Sequence, residues 1–191
     1  DLRRQRQMCI RGSDESVDAT VSSFAATATS HVGQVSTIDG LDVTASGLVD
    51  AGFVAQDATV VTDARGVSRV RVDLDVSCPA VFNVDALLEL QPAEPDDGLG
   101  ATRTCVRVLD ADNVPVFERC LEKAGALPID DAVHVDAGVW AIEVVAIGET
   151  TNELAGAEGH VSVSFDVILD GRIAADLDDD GNVDVTDLLE L

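Results

Sequence analysis

Residues Val67 to Val76, VSRVRVDLDV, alternate without a break: Val70, Val72, Leu74 and Val76 fall on one side, Arg69, Arg71, Asp73 and Asp75 on the other. Successive side chains of a β-strand point to opposite faces, so this run reads as a half-buried strand of an antiparallel sheet with one wet face. Phe82, Val84, Ala86, Leu88 and Leu90 repeat the pattern, as do Trp140, Ile142, Val144 and Ala146, and then Val161, Val163, Phe165 and Val167. Weaker runs lie at Val17 to Ser30, Val32 to Ile38, Leu41 to Val49 and Ala58 to Thr62. Turn signals fall at Asp39-Gly40, Pro92 to Gly100, Asp136-Ala137-Gly138 and Asp170-Gly171. Eight to ten short strands with frequent turns and no long helical period predict an all-β chain, an antiparallel β-sandwich or jelly roll.

A wet sheet face also explains how so acidic a chain can have a core. There are 36 Asp plus Glu against 12 Lys plus Arg, a formal charge of −24. A polyanion of this kind repels nucleic acid and anionic lipid and attracts divalent cations. No apolar stretch is long enough for a membrane-spanning helix, and the basic first twelve residues lack the apolar region of a signal peptide. The chain starts without Met and stops inside an apparent helix, so a processed or partial sequence is the expectation. Lys123 is its single lysine, as in salt-adapted bacterial proteins, although plain solubility gives the same pattern.

The four cysteines, Cys9, Cys78, Cys105 and Cys120, include no C-x-x-C pair and no histidine at zinc-ligand spacing. An even, widely spaced set fits disulfides in an oxidising compartment. A hairpin of Thr104 to Leu109 and Val114 to Leu121, turning at Asp112-Asn113, sets Cys105 opposite Cys120 and Arg107 opposite Glu118. Two compatible pairs in one register predict a Cys105–Cys120 bridge; two buried free thiols are the alternative. Cys9 and Cys78 would then pair by elimination.

Residues 176–187 read D-L-D-D-D-G-N-V-D-V-T-D. Carboxylates stand at loop positions 1, 3, 5, 9 and 12, glycine at 6 and an apolar residue at 8. A twelve-residue loop with this spacing wraps a calcium ion, which takes six to eight oxygens. Asp176, Asp178 and Asp180 would offer carboxylate oxygens, Asn182 its carbonyl, Asp184 an oxygen directly or through water, and Asp187 both oxygens. Gly181 allows the sharp turn. Six carboxylates within twelve residues repel one another; at about 4 Å two of them do so by roughly 4 kcal/mol, and a divalent ion reverses the sign. A solvated acidic tail is the plainer alternative, but Gly181 and Val183 do not belong to a random run of acids.

This segment closely resembles a type I dockerin repeat, and more generally the second half of an EF-hand. The resemblance rests on Asp176, Asp178, Asp180, Gly181, Val183, Asp184, Asp187 and the helix start Leu188-Leu189. It implies Ca²⁺ as cofactor, a short loop and helix after the sandwich, extracellular or bacterial cell-surface location, and docking onto a cohesin module, with Val185 and Thr186 helping to select the partner. Dockerins carry two repeats and only one is present; Asp110-Ala111-Asp112-Asn113 lacks the glycine. Separately, the layout of Val67 to Leu169, with Asp136-Ala137-Gly138-Val139-Trp140 before a core strand, loosely resembles the small β-sandwich domains of secreted bacterial hydrolases.

The chain thus divides into a polar, mobile lead-in (1–15), a β-sandwich (16–170) and a dockerin-like calcium-binding repeat (171–191). No catalytic constellation stands out: there is no G-x-S-x-G or P-loop, His31, His134 and His160 are solitary, and Glu143 with Asp166 would be an arbitrary choice of glycosidase pair among so many acids. With five Phe, one Trp and no Tyr, stacking platforms for sugars are scarce, and Trp140 keeps phase with core residues. The expected function is therefore that of a non-catalytic secreted calcium-binding protein used for attachment or assembly. The alternatives are an accessory part of a polysaccharide-degrading glycoside hydrolase and a β-sandwich lectin that binds carbohydrate.

Overall fold

Valines and leucines at every second position leave water only when two sheets face each other, and the computed structural model realises this arrangement. It describes residues 14–22, 26–39, 42–55, 62–92, 102–152 and 158–173. These form ten strands: β1 (Asp14–Ser22), β2 (Ala26–Asp39), β3 (Asp42–Ala55), β4 (Thr62–Val76), β5 (Ala80–Pro92), β6 (Arg103–Leu109), β7 (Pro115–Leu121), β8 (Gly125–Val135), β9 (Gly138–Asn152) and β10 (Glu158–Ile173).

The strands make a six-stranded sheet in the order β1-β2-β3-β10-β5-β8 and a four-stranded sheet in the order β4-β9-β6-β7, every pairing antiparallel. The pairs β3/β10, β4/β9, β5/β8 and β6/β7 show the logic. From Asp42 to Ile173 the chain is one long hairpin folded at the β6–β7 turn, and successive rungs fall alternately in the larger and the smaller sheet. The pairings β10/β5 and β9/β6 then close the rungs side by side. Eight strands in this order form a jelly-roll-like sandwich, and the β1–β2 hairpin widens the larger sheet beyond β3.

One face of each sheet makes the core. Val70, Val72, Leu74 and Val76 of β4 meet Ile142, Val144 and Ala146 of β9 on the smaller sheet; Phe82, Leu88 and Leu90 of β5 meet Val161, Val163, Phe165 and Val167 of β10 on the larger. All of these alternating residues are buried in the phase that the sequence pattern requires. Trp140 is half-buried against the rim of this core, and its Nε1–H donates to the Asp136 carbonyl at 2.8 Å. The turn before it ends on Gly138, whose φ of 154° favours glycine.

The β6–β7 hairpin has the expected register: Cys105 faces Cys120 and Arg107 faces Glu118. A disulfide joins Cys105 to Cys120, with Cα atoms 4.1 Å apart. The Asp110 carboxylate caps the turn, accepting from the backbone N–H groups of Asp112 at 2.9 Å and Val114 at 2.8 Å, while Asn113 takes the positive φ of 62° that asparagine tolerates. Replacing both Cys105 and Cys120 with alanine is expected to lower the unfolding free energy by up to about 3 kcal/mol, the chain-entropy value for a loop of this size. Urea unfolding of wild type and double variant measures it. Of the second expected bridge, Cys78 is a free thiol among the described residues, and its expected partner Cys9 lies outside them.

Three local expectations change. Asp170-Gly171 is not a turn but lies inside β10, because β5 offers ladder partners as far as Ala80, and Gly171 N–H also donates to the Asp42 carboxylate at 3.3 Å. The run Val17 to Ser30 divides between β1 and β2, which pair with each other. Several strands are long rather than short, reaching 16 residues in β10, where β3 and β5 extend the ladder on either side. Among the described residues no helix is long and apolar enough to cross a membrane.

Candidate functional site

The six expected calcium ligands, Asp176, Asp178, Asp180, Asn182, Asp184 and Asp187, lie outside the described residues, as does the helix expected after them. What precedes them is described. β10 sits between β3 and β5, hydrogen-bonded on both sides, and ends at Ile173 opposite Ala80. Only Ala174 and Ala175 separate that strand from Asp176.

Charged side chains that the alternation turned outward are organised on the smaller sheet. Arg71, Glu143, Arg107 and Glu118 stand side by side across β4, β9, β6 and β7. Glu143 is only 6% exposed, and burying a carboxylate requires partners. It has two: Arg69 pairs with one oxygen, and Arg107 Nη1 lies 3.2 Å from the other. Arg107 in turn donates through Nε to Glu118 at 2.6 Å. Arg71 donates to Asp73 and to Asn113 of the β6–β7 turn. Beside this row, Cys105, Val145, Ile147 and Cys120 form a small apolar cluster on the same face.

The outer face of the larger sheet carries a different group. Thr20, Thr29, Ser30, His31, Asp50, Gly52 and His160 line a hollow of about 320 Å³. The register explains the meeting: His31 of β2 faces Asp50 of β3, while Thr29 and His160 both face Gly52. Gly52 makes the floor, since a Cβ there would stand 3.4 Å from the His160 ring. Thr29 Oγ–H donates to the Gly52 carbonyl at 3.4 Å, and His160 Nε2 lies 4.0 Å from Asp50 Oδ1. Sequence reasoning treats these histidines as solitary because they are more than a hundred residues apart; only the knowledge that β3 separates β2 from β10 brings them together. His134 stays apart, exposed on β8.

Other sequence candidates do not assemble. Glu143 faces outward from the smaller sheet and Asp166 outward from the larger, so the whole sandwich lies between them. Cys105, Cys120 and Glu118 are close enough for a metal, but the sulfurs are bonded to each other and Glu118 is held by Arg107.

No protein-family profile matches the chain, and none of the curated proteins compared with it does. Among solved structures it is similar to the structure of infectious bursal disease virus, Gx strain, at 11% identity and a TM-score of 0.31, over 78% of this chain and 41% of that one. It is also similar to the VP2 subviral particle of the same virus, at 11% identity and a TM-score of 0.27, over 83% of this chain and 60% of that one. An arabinose-bound α-L-arabinofuranosidase matches at 9% identity and a TM-score of 0.23, over 83% of this chain and 23% of that one. The chain thus spans less than two thirds of each of these structures. The assignment of the sandwich rests on its own strand order and register.

Proposed function

We propose that the chain is a secreted, non-catalytic calcium-binding protein in which the jelly-roll-like body presents a short dockerin-like loop and helix for attachment or assembly. The observation that carries this reading is the twelve-residue pattern from Asp176 to Asp187, with acids at the liganding positions, Gly181 at the turn and Val183 behind it. Asp176, Asp178, Asp180, Asn182, Asp184 and Asp187 hold Ca²⁺ and the ion neutralises their mutual repulsion. The ordered loop then starts the helix at Leu188. β10 stays paired with β5 as far as Ile173, so the proposed loop follows an ordered strand after only Ala174 and Ala175. The partner is a cohesin-like module outside the cell, engaged only when calcium has ordered the loop.

Calorimetric titration of the full chain with CaCl₂ is expected to give one site with Kd between about 10⁻⁶ and 10⁻⁴ M, within the range of such loops. Asp180→Ala is expected to weaken it at least about a hundredfold, since one of few carboxylate ligands is lost, and to leave the thermal unfolding of the sandwich in chelator unchanged. Equal affinity in the variant rejects the ligand assignment.

A further inference from the structure

We propose that the open edge of β4 is a docking site for an extended peptide segment of another protein, which joins the smaller sheet as a further strand. Among the described residues β4 pairs with β9 alone. The disulfide shows which of its backbone groups are left over. Directly opposed antiparallel residues stand about 5.5 Å apart when they exchange hydrogen bonds and about 4.5 Å when they do not. The Cα atoms of Cys105 and Cys120 are 4.1 Å apart. They are therefore a non-bonded pair, and Cys105 turns its N–H and C=O to Val145 of β9. Val145 then turns its own away from Arg69, its partner on β4. By alternation, the backbone groups of Arg65, Val67, Arg69, Arg71, Asp73 and Asp75 point out of the sheet edge. Val67 is 44% exposed, so water reaches that edge.

The opposite edge is blunted. β7 begins with Pro115, β8 contains Pro128, and Arg119 of β7 meets Asp131 of β8 at 2.9 Å. β4 runs for 15 residues without proline, a long open template for a strand. There is also a ledge beneath it. A Cβ at Gly66 of β4 would touch Val49 of β3 and Ser30 and Val32 of β2, so β4 lies over these two strands. The larger sheet continues past it to β1. Val43, Ala45 and Val49 of β3 are buried, whereas Ala28, Ser30 and Val32 of β2 are only half-buried. A strand added beside β4 would cover β2 and β1. A second copy of the chain does not fit this slot, because its own larger sheet would meet β1 and β2.

Charge order defines the guest. Outward along the edge stand Arg69 and Arg71, then Asp73 and Asp75; between them Val70, Val72 and Leu74 face the core. An antiparallel guest matches with two basic residues followed by two acids, each at every second position, and apolar residues between. Arg71 also reaches Asp73 and Asn113 within the chain, so the charges set register and selectivity, while the backbone ladder and the apolar side chains supply affinity.

The probe is the fluorescein-labelled peptide Gly-Val-Ser-Arg-Val-Arg-Val-Asp-Leu-Asp-Val-Ser, which has this order. It is added to the full chain in chelator, which leaves the calcium loop empty, and read by fluorescence anisotropy at low salt. Saturable binding is expected. Exchanging the second Arg with the first Asp makes the charges alternate and mismatches half of them in either strand direction; this peptide is expected to bind at least about tenfold more weakly. Val67→Pro removes an edge N–H and leaves the β9 ladder intact, and is expected to weaken the first peptide at least about tenfold. Asp73→Lys with Asp75→Lys is expected to do the same, and to bind tightly a peptide with acids at all four charged positions. Circular dichroism checks that the variants keep the fold. No binding of the first peptide, equal binding of the first two peptides, or equal binding by Val67→Pro overturns the proposal. So does a dimer of the chain alone that Val67→Pro dissociates, since it gives the edge to a second copy.

Discussion

Phe165→Ala is expected to lower the unfolding free energy by about 3–5 kcal/mol, the range for deleting a buried aromatic ring. Phe165 is 2% exposed. It faces Gly47 of β3 on one side and Leu88 of β5 on the other. A Cβ added at Gly47 would overlap the Phe165 ring and stand 2.8 Å from the Ser68 hydroxyl of the opposite sheet. The glycine and the ring are one packing unit, an aromatic laid over the gap that a strand glycine leaves. Gly47→Val is therefore also destabilising, by about 1–3 kcal/mol through overpacking. The double variant tests the explanation, because valine at 47 fits only once the ring has gone. Its loss is expected to fall short of the sum of the single losses by about 1–3 kcal/mol, the coupling seen between residues in contact. Urea denaturation of the four proteins measures this, and simple additivity would show that the ring and the glycine are not coupled.

The second large effect concerns Glu143. Removing it alone frees Arg69 and Arg107, of which Arg69 is half exposed and Arg107 keeps Glu118. Water and the remaining carboxylate satisfy them, so Glu143→Leu is expected to cost no more than about 1 kcal/mol. Removing the arginines instead leaves a carboxylate buried and unpaired. Arg69→Met with Arg107→Met, which keeps most of the covering stem, is expected to cost about 3–5 kcal/mol. Adding Glu143→Leu to that pair should restore most of the loss. If the triple variant is no more stable than the double, the arginines act by packing and not by compensating the buried charge.

Both effects lie on strands whose period was readable in the sequence, yet neither was readable itself. Alternation in Val70 to Val76, Phe82 to Leu90 and Val161 to Val167 is a local signal, and it specified the strands and their buried faces. The Cys105–Cys120 register was legible for the same reason: a short turn fixes which residues face each other. Contacts set by β-sheet order were not. The pairing of β10 with β3 and β5, the burial of Glu143 beneath Arg69 and Arg107, and the meeting of His31 with His160 depend on which distant strands become neighbours. Asp170-Gly171 shows the same limit, since a dipeptide that favours a turn stays extended when strands on both sides supply partners. The proposed calcium pattern is legible because its candidate ligands are close in sequence, all falling within residues 176–187.

That pattern can be tested directly by growing crystals of the full chain with and without calcium. With the ion, a strong density peak is expected among the oxygens of Asp176, Asp178, Asp180, Asn182, Asp184 and Asp187, at 2.3–2.6 Å from them, and it should vanish when chelator is added. An ordered tail with no peak among those oxygens would contradict the account.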